Sequence, residues 1–352
     1  MGIEPKFKWK RRKEMKKIFK LMLGLLMAAI LVTPQWGFAK SYKLRLQCVY
    51  PEKAYAGQST KFFAQKVEEL TQGNVKIKIF WPGQLVKTKE AFDALEKGMI
   101  DAYSGSMLYF AGFVPEVNCE WLPFGWQDTG QALEVYRDNG WLDLMRKATI
   151  KHGVHYVAPL CVASMGLITK FPVRTVEDMK GRKIRAVGME AKIMDVLGAA
   201  PVAIAGAEQY MALKRGTVEG TDYPFYTIGK YKFYEVCNYI IRPAFHTPGI
   251  IEILINQQVY SALPRQYQEA IDKAGWLAFE RTVELSPQWD ERAYQVCKEK
   301  GVEIIDLAPA ELQRFRQATL PLWEKVAKKS EICSDLVKNL KAYLEAKGIK
   351  LQ

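Results

Sequence analysis

Two nine-residue segments of the chain, starting at residues 94 and 212, follow the same pattern. Each has the residues of a helix end, then a glycine (Gly98 or Gly216), then a β-branched residue and an acid (Asp101 or Glu219). Glycine adopts the left-handed conformation that ends many helices, and β-branched residues favour strands. The repeat predicts two lobes built on one plan; chance similarity is the alternative.

The chain before the first copy alternates between strand and helix patterns. Residues 42–50 alternate apolar and polar side chains, residues 59–70 carry apolar side chains at helical spacing, and residues 75–81 alternate again. A strand, a helix and a strand in this order predict parallel pairing in a sheet.

Two apolar segments, 156–167 and 250–255, are predicted to carry the chain from the first lobe to the second and back. From Leu263 to Lys300 the main helix breaker is Pro287, which predicts a long helix. Two crossings form a hinge, and hinged lobes enclose a cleft that can close. The predicted α/β lobes comprise residues 40–160 plus 251–288 (lobe I) and residues 161–250 plus 289–352 (lobe II).

The first 39 residues (1–39) are predicted to be a signal peptide. Nine lysines and arginines precede an apolar run from Leu21 to Val32, and Gly37-Phe38-Ala39 offers a small-residue cleavage site. The run is short for a membrane span. An uncleaved anchor is the alternative, and Arg11-Arg12 is a weak match to twin-arginine export signals. The working protein is therefore predicted to be periplasmic.

The signal peptide contributes +7 of the formal net charge of +13, which leaves +6 for residues 40–352. This modest excess favours anionic ligands. Without a basic stripe interleaved with aromatic residues, it argues against nucleic acid as a partner.

Cysteine and histidine give no sign of a metal site. The six cysteines are widely scattered without metal-type spacing; an exported chain could pair them, but buried free thiols are expected for most. His152 and His155 lack a nearby carboxylate, so we expect structural roles. No nucleophile triad or paired-carboxylate motif is evident, and we predict that the protein is not an enzyme; an exported enzyme is the weaker alternative.

The segment from Met179 to Arg185 places an arginine at the far end of a short strand that follows Gly181. A guanidinium presents a fixed, permanently charged set of donors that matches a carboxylate with two bonds. Arg185 is therefore a candidate anchor for a small organic acid. The alternative is that Arg182, Lys183 and Arg185 are solvated charges beside a strand.

Several weak motifs, taken in order, resemble the DctP-type substrate-binding proteins of tripartite ATP-independent periplasmic (TRAP) transporters. The resemblance implies two α/β lobes of the type II-like Venus flytrap kind, a long helix bridging them, and a cleft that closes on an organic anion. It also implies that Arg185 holds the ligand carboxylate. The motifs are Thr71-Gln72-Gly73-Asn74-Val75, Pro82-Gly83-Gln84-Leu85, Gly98-Met99-Ile100-Asp101, Leu122-Pro123-Phe124, residues 178–185, residues 197–202 and Leu263-Pro264-Arg265-Gln266.

Within that family, Ser164-Met165-Gly166, Asp222-Tyr223 and residues 203–210 and 233–236 are similar to a branch that binds 2-oxoacids. In that branch a glutamine and two glutamates hold a cation. The matching residues here are Ser164, Asp222 and, loosely, Thr247. A hard cation needs several oxygen ligands, so these changes count against it. No cofactor is expected, and Asp222 is the remaining candidate for a metal ligand.

A second arginine that sialic-acid and dicarboxylate binders use falls by this resemblance near Met165 and is missing, which favours a single ligand carboxylate. Aromatic residues after Gly220 would form an apolar wall, with ordinary core packing as the alternative. Tyr226 belongs to that aromatic run. Ser106 follows a predicted strand of the first lobe and could complete the pocket. Phe124 and Trp126 are expected to pack at the lobe edge. The predicted substrate-binding residues are Arg185, Ser164, Met165, Tyr223, Asp222, Phe225, Tyr50, Ser104, Phe245 and His246.

These features predict a periplasmic protein that captures a small organic acid: a monocarboxylate, with 2-oxoacids and aromatic or hydrophobic acids as the classes considered. It would deliver the acid to the integral-membrane subunits of a TRAP transporter. A ligand-sensing domain is the alternative that the sequence does not separate. Both monomer and dimer remain open.

Overall fold

The computed structural model describes residues 41–349, together with Met15 and Lys17. Apart from those two residues, the predicted signal peptide lies outside the described part. Within that part, no helix combines the length and the hydropathy needed to cross a membrane.

The strands of the described chain form a five-stranded and a six-stranded sheet. The first sheet has the order β2-β1-β3-β10-β4, and the second has the order β11-β9-β5-β8-β6-β7. The strands are β1 (Tyr42–Cys48), β2 (Val75–Phe80), β3 (Ala102–Gly105), β4 (Val154–Cys161), β5 (Met165–Thr169), β6 (Lys183–Arg185), β7 (Ala200–Val202), β8 (Gly220–Pro224), β9 (Tyr239–Arg242), β10 (Ile250–Asn256) and β11 (Glu303–Asp306).

Helices connect and cover these strands. Short 3₁₀ helices occupy Thr88–Glu90, Met107–Phe110, Pro115–Trp121, Val176–Met179, Gly206–Glu208 and Phe233–Glu235. The α-helices are α1 (Tyr55–Leu70), α2 (Ala91–Glu96), α3 (Thr129–Asp138), α4 (Trp141–Ile150), α5 (Gly188–Val196), α6 (Gln209–Lys214), α7 (Thr227–Lys230), α8 (Gln257–Ser261), α9 (Arg265–Lys300), α10 (Pro309–Thr319), α11 (Pro321–Ala327) and α12 (Glu331–Ala346).

The first sheet confirms the predicted parallel pairing. Strand β1 runs parallel to β2 and β3, while β10 is antiparallel to β3 and β4. In β1, Leu44 and Leu46 are buried and Lys43 and Arg45 are exposed, as the alternation in the sequence predicts. One face of β1 therefore packs into the core.

The chain passes from one sheet to the other at the predicted positions. Strand β4 belongs to the first sheet and β5 to the second, and β10 returns the chain to the first sheet. All residues of β5 and β10 are buried. The chain therefore crosses between the sheets after β4 and again before β10.

The repeated nine-residue pattern forms the same structure in both lobes. Gly98 follows α2 with φ +69° and Gly216 follows α6 with φ +74°, and each is followed by a strand. Asp101 accepts the backbone N–H of Arg45 at 2.7 Å. Glu219 accepts the backbone N–H of Lys183 at 3.1 Å. In each lobe the acid fastens the new strand to its parallel neighbour.

Helix α9 confirms the predicted long helix and has 36 residues. Pro287 lies inside it and lacks the N–H that would bond to the carbonyl of Val283. The hydroxyl of Thr129 donates to that carbonyl at 3.0 Å instead. The proline is tolerated because α3 satisfies the acceptor that it leaves free.

One side of α9 supports the segment that links β4 to β5. Thr282, Ser286 and Asp290 stand four residues apart and so share a face of the helix. Their side chains accept the backbone N–H groups of Cys161, Ala163 and Ser164 at 2.9, 2.8 and 3.0 Å, respectively. The long helix and the first crossing are therefore bonded along the hinge.

The last helix contacts the first lobe. The hydroxyl of Tyr343 in α12 donates to Glu134 in α3 at 2.8 Å, and Asn339 donates to the carbonyl of Asn139 at 3.2 Å. The predicted second lobe includes residues 289–352, while α12 contacts α3 and Asn139 of the predicted first lobe; this boundary remains a prediction. The periodicity of an amphipathic helix shows which of its faces is apolar, but not which distant element that face packs against. The other lobe boundaries remain predictions.

The cysteines and two of the histidines have structural roles. All six cysteines are buried and free, as expected. His155 bonds to Asp272 at 2.8 Å, and His152 lies 3.5 Å from Glu96. The carboxylate partners that the sequence did not reveal come from distant parts of the chain. Among the described residues, no group of three or more His, Cys, Asp or Glu could hold a metal ion.

Candidate functional site

Side chains from both lobes converge on a small cavity, the inner chamber. Its walls come from the ends of β1, β3, β6 and β8, from the crossing after β4, and from the two 3₁₀ helices that follow β3. The cavity measures about 10 Å³, roughly the space of one water molecule. The chamber is lined by Tyr50, Ser106, Tyr109, Trp121, Val162, Met165, Arg185, Val187, Glu190, Tyr223, Pro224 and Tyr226.

Arg185 lies at the end of β6 and is 1% exposed. Its Nε donates to the carbonyl of Ile204 at 2.9 Å. Its Nη1 donates to Glu190 at 3.0 Å and to the carbonyl of Asp222 at 3.3 Å. Three protein acceptors therefore fix the plane of the guanidinium from the second lobe. The remaining nitrogen, Nη2, points towards the first lobe.

The ion pair of Arg185 and Glu190 sets the charge of the chamber. Burial alone would lower the pKa of Arg185. Tyr109 and Glu190 act in the opposite direction and the net pKa is raised, so the guanidinium stays charged. Burial raises the pKa of Glu190 to about 7, against the opposing effects of Arg185 and the Val187 N–H. Near neutral pH the chamber therefore changes between a net positive charge and neutrality as Glu190 loses its proton.

Tyr109 connects the two lobes at the chamber. It belongs to the 3₁₀ helix Met107–Phe110 of the first lobe. Its hydroxyl oxygen accepts Nη2 of Arg185 at 3.0 Å and the backbone N–H of Gly206 at 3.1 Å. Because the oxygen accepts both bonds, the hydroxyl proton is available to donate to an acceptor in the chamber.

The segment that carries Tyr109 is fastened to the returning strand β10. Glu252 in β10 accepts the backbone N–H of Met107 at 2.6 Å. Glu120 accepts the hydroxyl of Tyr156 at 2.7 Å and that of Tyr136. Burial raises the pKa of both carboxyls, and each also interacts with the other. These buried acids tie the hinge strand to the chamber wall.

The structure brings Tyr50, Met165, Arg185 and Tyr223 of the predicted site together in the chamber. The ring of Tyr223 lies 5.0 Å from the guanidinium carbon of Arg185. A side chain at Gly206 would lie 2.3 Å from the Tyr223 hydroxyl, so the close approach of this ring requires glycine there. Ser106 and Tyr226, also anticipated near the pocket, line it as well.

Four predicted site residues lie outside the chamber lining. The hydroxyl of Ser164 donates to Asp290 at 2.7 Å, so this side chain bonds to the long helix α9. Ser104 is buried within β3 and bonds to Thr60 at 2.7 Å. Phe225 is fully buried in the core, 6.3 Å from the ring of Tyr294, and Phe245 packs 5.7 Å from Phe124.

Two further predicted residues stand directly behind the chamber wall. The imidazole of His246 lies edge-on to Trp121 at 5.1 Å, and burial lowers the pKa of His246 to about 3, which keeps the ring neutral. The carboxylate of Asp222 is fully buried, and neither of its oxygens has a hydrogen-bond partner among the described residues. Burial and the nearby Glu190 raise the pKa of Asp222 well above its usual range.

Sequence reasoning missed six residues of the chamber lining: Tyr109, Trp121, Val162, Val187, Glu190 and Pro224. Tyr109 and Trp121 belong to 3₁₀ helices, which have no distinctive periodicity. Glu190 did leave a signal, because an acid at the third position of a helix commonly accepts the N–H before that helix. Here Glu190 accepts the N–H of Val187 at 3.1 Å.

The three positions matched to a cation site do not assemble one. The Ser164 hydroxyl is bonded to Asp290 and lies 3.5 Å from Thr247. Asp222 alone offers oxygens without a partner, and it is separated from solvent. One carboxylate cannot offset the dehydration of a hard cation. The side chains present therefore do not fit the group that the resemblance implied.

Comparisons with known proteins identify a family and several relatives. Residues 47–330 match the family described as bacterial extracellular solute-binding protein, family 7. A monocarboxylate 2-oxoacid-binding periplasmic protein of Nostoc sp. is 24% identical over 305 residues, which are 85% of this chain and 83% of that protein.

Two crystal structures of TRAP periplasmic solute-binding proteins show the same fold. An apo open structure from Rhodobacter sphaeroides has 28% identity and a TM-score of 0.66, covering 87% of this chain and 99% of its own. A structure from Pseudoalteromonas atlantica with bound sodium and pyruvate has 22% identity and a TM-score of 0.80, covering 88% and 95%. The structural similarity is thus greater to the pyruvate-bound protein, although its sequence identity is lower.

Proposed function

The chain belongs to the bacterial extracellular solute-binding protein family 7, and from this premise we propose that it captures a small monocarboxylate in the inner chamber. Proteins of this family are periplasmic solute-binding proteins and not enzymes, and those of TRAP transporters bind small organic acids for delivery to membrane components. In our proposal this chain acts in the periplasm and presents its closed, loaded form to such components.

The observation that carries the proposal is the single arginine, Arg185, held rigidly with one nitrogen directed into the chamber. A ligand carboxylate would accept from Nη2 and from the hydroxyl proton of Tyr109. Charge-assisted bonds of this kind are the strong ones in a site from which water is excluded. The bonds of Arg185 to Ile204, Glu190 and Asp222 would keep the guanidinium in place before the ligand arrives.

The charges of the chamber support one carboxylate rather than two. Arg185 and Glu190 are its charged side chains, and Glu190 is already paired with Arg185. A second carboxylate would be buried without a cationic partner, which is costly. The rest of the wall is mainly Tyr50, Trp121, Met165, Tyr223 and Tyr226, which suits a short apolar or aromatic body.

The ligand class that we favour is a 2-oxoacid or a compact aromatic or hydrophobic acid. The relative from Nostoc sp. is described as a 2-oxoacid-binding protein and the Pseudoalteromonas structure contains pyruvate, which supports the first class. The aromatic wall supports the second. Because the chamber measures about 10 Å³ in its present form, the lobes must open for the acid to enter.

We also propose that this binding needs no cation, because Ser164 serves Asp290 and Asp222 stands alone. Removing Ca²⁺ with a chelator and replacing Na⁺ by choline should leave the Kd for the acid within about twofold. A Kd that weakens tenfold or more without these ions would contradict the cation-free site.

The experiment that tests the function is calorimetry and thermal shift on protein purified without refolding. The ligands would be 2-oxoacids, aromatic acids, dicarboxylates and sugar acids, each at matched ionic strength. We expect saturable binding of a monocarboxylate and a higher melting temperature in its presence. Binding of dicarboxylates alone, or of none of these acids, would count against the proposal.

A further inference from the structure

A second, larger cavity lies beside the inner chamber, and we name it the outer cavity. It measures about 290 Å³, against about 10 Å³ for the chamber. Tyr226 lines both spaces and forms the partition between them. The other walls that matter for recognition are Tyr55, Lys230, Tyr234, Trp289, Arg292 and Lys300.

The wall of the outer cavity next to the partition is aromatic. The rings of Tyr55 and Trp289 stack at 4.7 Å with an interplanar angle of 9°. Tyr226 meets Tyr55 edge-on at 5.1 Å. Because Trp289 and Tyr226 are buried, these rings form a fixed apolar surface with little to lose in conformational entropy on binding.

The rim of the cavity is positively charged. Nζ of Lys230 lies 4.5 Å from the ring of Tyr55, and Nζ of Lys300 lies 5.2 Å from the ring of Tyr234. Within the described residues, neither lysine forms an ion pair with a carboxylate. Arg292 does pair with Glu299, at 3.1 Å. The two lysines therefore retain charge for an anionic ligand.

We propose that the outer cavity is a second binding site, for an aromatic carboxylate. The ring of such a ligand packs on the surface formed by Tyr55, Tyr226 and Trp289, and its carboxylate lies between Lys230 and Lys300. The volume is close to the lower end of the range for small-molecule pockets, about 300 Å³. A small ligand with an apolar body and one charge matches this combination of walls.

Occupancy of this site couples to the inner chamber. Tyr55 belongs to the first lobe, Lys230 and Tyr226 belong to the second, and Trp289 belongs to the hinge helix. A ligand that contacts all of them favours the present, closed arrangement of the lobes. By linkage the two sites then change each other's affinity by the same factor. This coupling rests on the proposed function; the outer site itself does not.

The test uses benzoate, with neutral benzamide as its matched probe, on the Arg185→Met variant, in which the inner anchor is removed. Benzoate should still bind with one site and a Kd of order 1 mM, as expected for about nine non-hydrogen atoms. Combining Lys230→Gln and Lys300→Gln, both at exposed positions, should weaken that binding about tenfold. Lys298→Gln, on the same helix but outside the cavity lining, should leave it unchanged.

The opposite results overturn the proposal. Folded Arg185→Met protein that shows no saturable binding of benzoate excludes the site, as does equal binding of benzoate and benzamide. Equal effects of Lys298→Gln and of the paired lysine variant also exclude it. If benzoate binds as expected while the wild type fails to bind any monocarboxylate in the inner chamber, the outer site stands and the proposed function falls.

Discussion

Two arginine–carboxylate pairs, one in each lobe, have different roles. Arg45 in β1 pairs with Asp101 at 3.0 Å, and its side chain is 48% exposed. Arg185 in β6 pairs with Glu190 at 3.0 Å, and its side chain is 1% exposed. The first pair reinforces a strand junction in contact with water. The second holds a charge inside the cleft.

The comparison shows how a repeated scaffold supports an asymmetric site. Asp101 and Glu219 fasten their strands in the same way, so both lobes deliver strand ends to the cleft. The first lobe then contributes a hydroxyl and rings, through Tyr50 and Tyr109, whereas the second contributes the charge of Arg185. Closure joins them through the bond of Arg185 to Tyr109.

The largest expected effect is the loss of carboxylate binding in Arg185→Met. Truncating one partner of a buried charge pair costs about 2–5 kcal/mol of binding, or about 30-fold to several thousand-fold in Kd. Arg182→Met is the matched control, since Arg182 immediately precedes the same strand, pairs with Glu219 and is 42% exposed. Calorimetry with the best monocarboxylate should show little change for the control.

The contrast between the buried and the exposed arginine fails if the two variants weaken binding of the acid equally. Equal weakening by Arg182→Met and Arg185→Met would mean that general positive charge, not the buried anchor, attracts the acid. A loss of folding in Arg185→Met would be detected by its melting temperature. In that case Arg185→Lys, which keeps the charge but not the planar donor set, should bind at least tenfold more weakly than the wild type.

The second effect is a dependence of affinity on pH. The pKa of Glu190 is raised to about 7, and a bound carboxylate raises it further, so binding above pH 7 is accompanied by proton uptake. Affinity should therefore fall as pH rises, by up to about tenfold between pH 7 and 8. Glu190→Gln removes the titrating group and should flatten this profile. A profile that is flat in the wild type, or as steep in the variant, would contradict the assignment.

The same shift has a consequence for folding stability. A carboxyl whose pKa is raised in the folded state binds more protons there than in the unfolded chain. Its contribution is complete below the unfolded value and is lost as pH rises through about 7. Glu190→Gln should therefore show a smaller decrease of melting temperature between pH 5 and 8 than the wild type does.

A smaller effect is expected from Tyr109→Phe, which removes the hydroxyl that joins the lobes. The variant leaves one donor of Arg185 and the N–H of Gly206 without this acceptor. A hydrogen bond of this kind contributes about 1–2 kcal/mol, so the Kd should rise about five- to thirtyfold. Tyr103→Phe, whose hydroxyl bonds within the first lobe to Ser106, is the control and should not alter affinity.

The smallest effect should come from the exposed pairs of the two lobes. Asp101→Asn and Glu219→Gln each remove a surface charge pair while keeping an acceptor for the strand N–H. Such pairs contribute about 0.2–1 kcal/mol, and both variants should lose stability by similar amounts in urea denaturation. A large loss for one variant only would show that the two junctions are not equivalent.

The sequence predicted the scaffold well because the scaffold depends on local patterns. Alternation marked β1, the helix ending in Gly98 recurred at Gly216, and a long stretch of helix formers marked α9. The sequence also singled out Arg185, which lines the chamber, because a guanidinium at a strand end is chemically distinctive and the family resemblance implied that this strand lies at the cleft.

The site was predicted less well because the direction of a side chain and its contacts depend on residues that are distant in the sequence. Ser104 lies within β3 and Ser164 immediately precedes β5, but their side chains bond to α1 and α9 rather than to the chamber. Tyr109 and Trp121 reach the chamber from short 3₁₀ helices. The partner of His155, Asp272, lies 117 residues away in the sequence. The periodic pattern of the sequence does not indicate such contacts.

The central claim is that Arg185 recognises the ligand carboxylate. Its most direct test is a thermodynamic cycle by calorimetry, using the best monocarboxylate and its neutral amide on the wild type and on Arg185→Met. In the inner chamber, with the weaker outer cavity fitted as a separate site, the wild type should prefer the acid strongly and the variant should bind acid and amide about equally, giving a coupling energy of about 2–5 kcal/mol. A coupling energy near zero, with the same preference for the acid in both proteins, would contradict the claim.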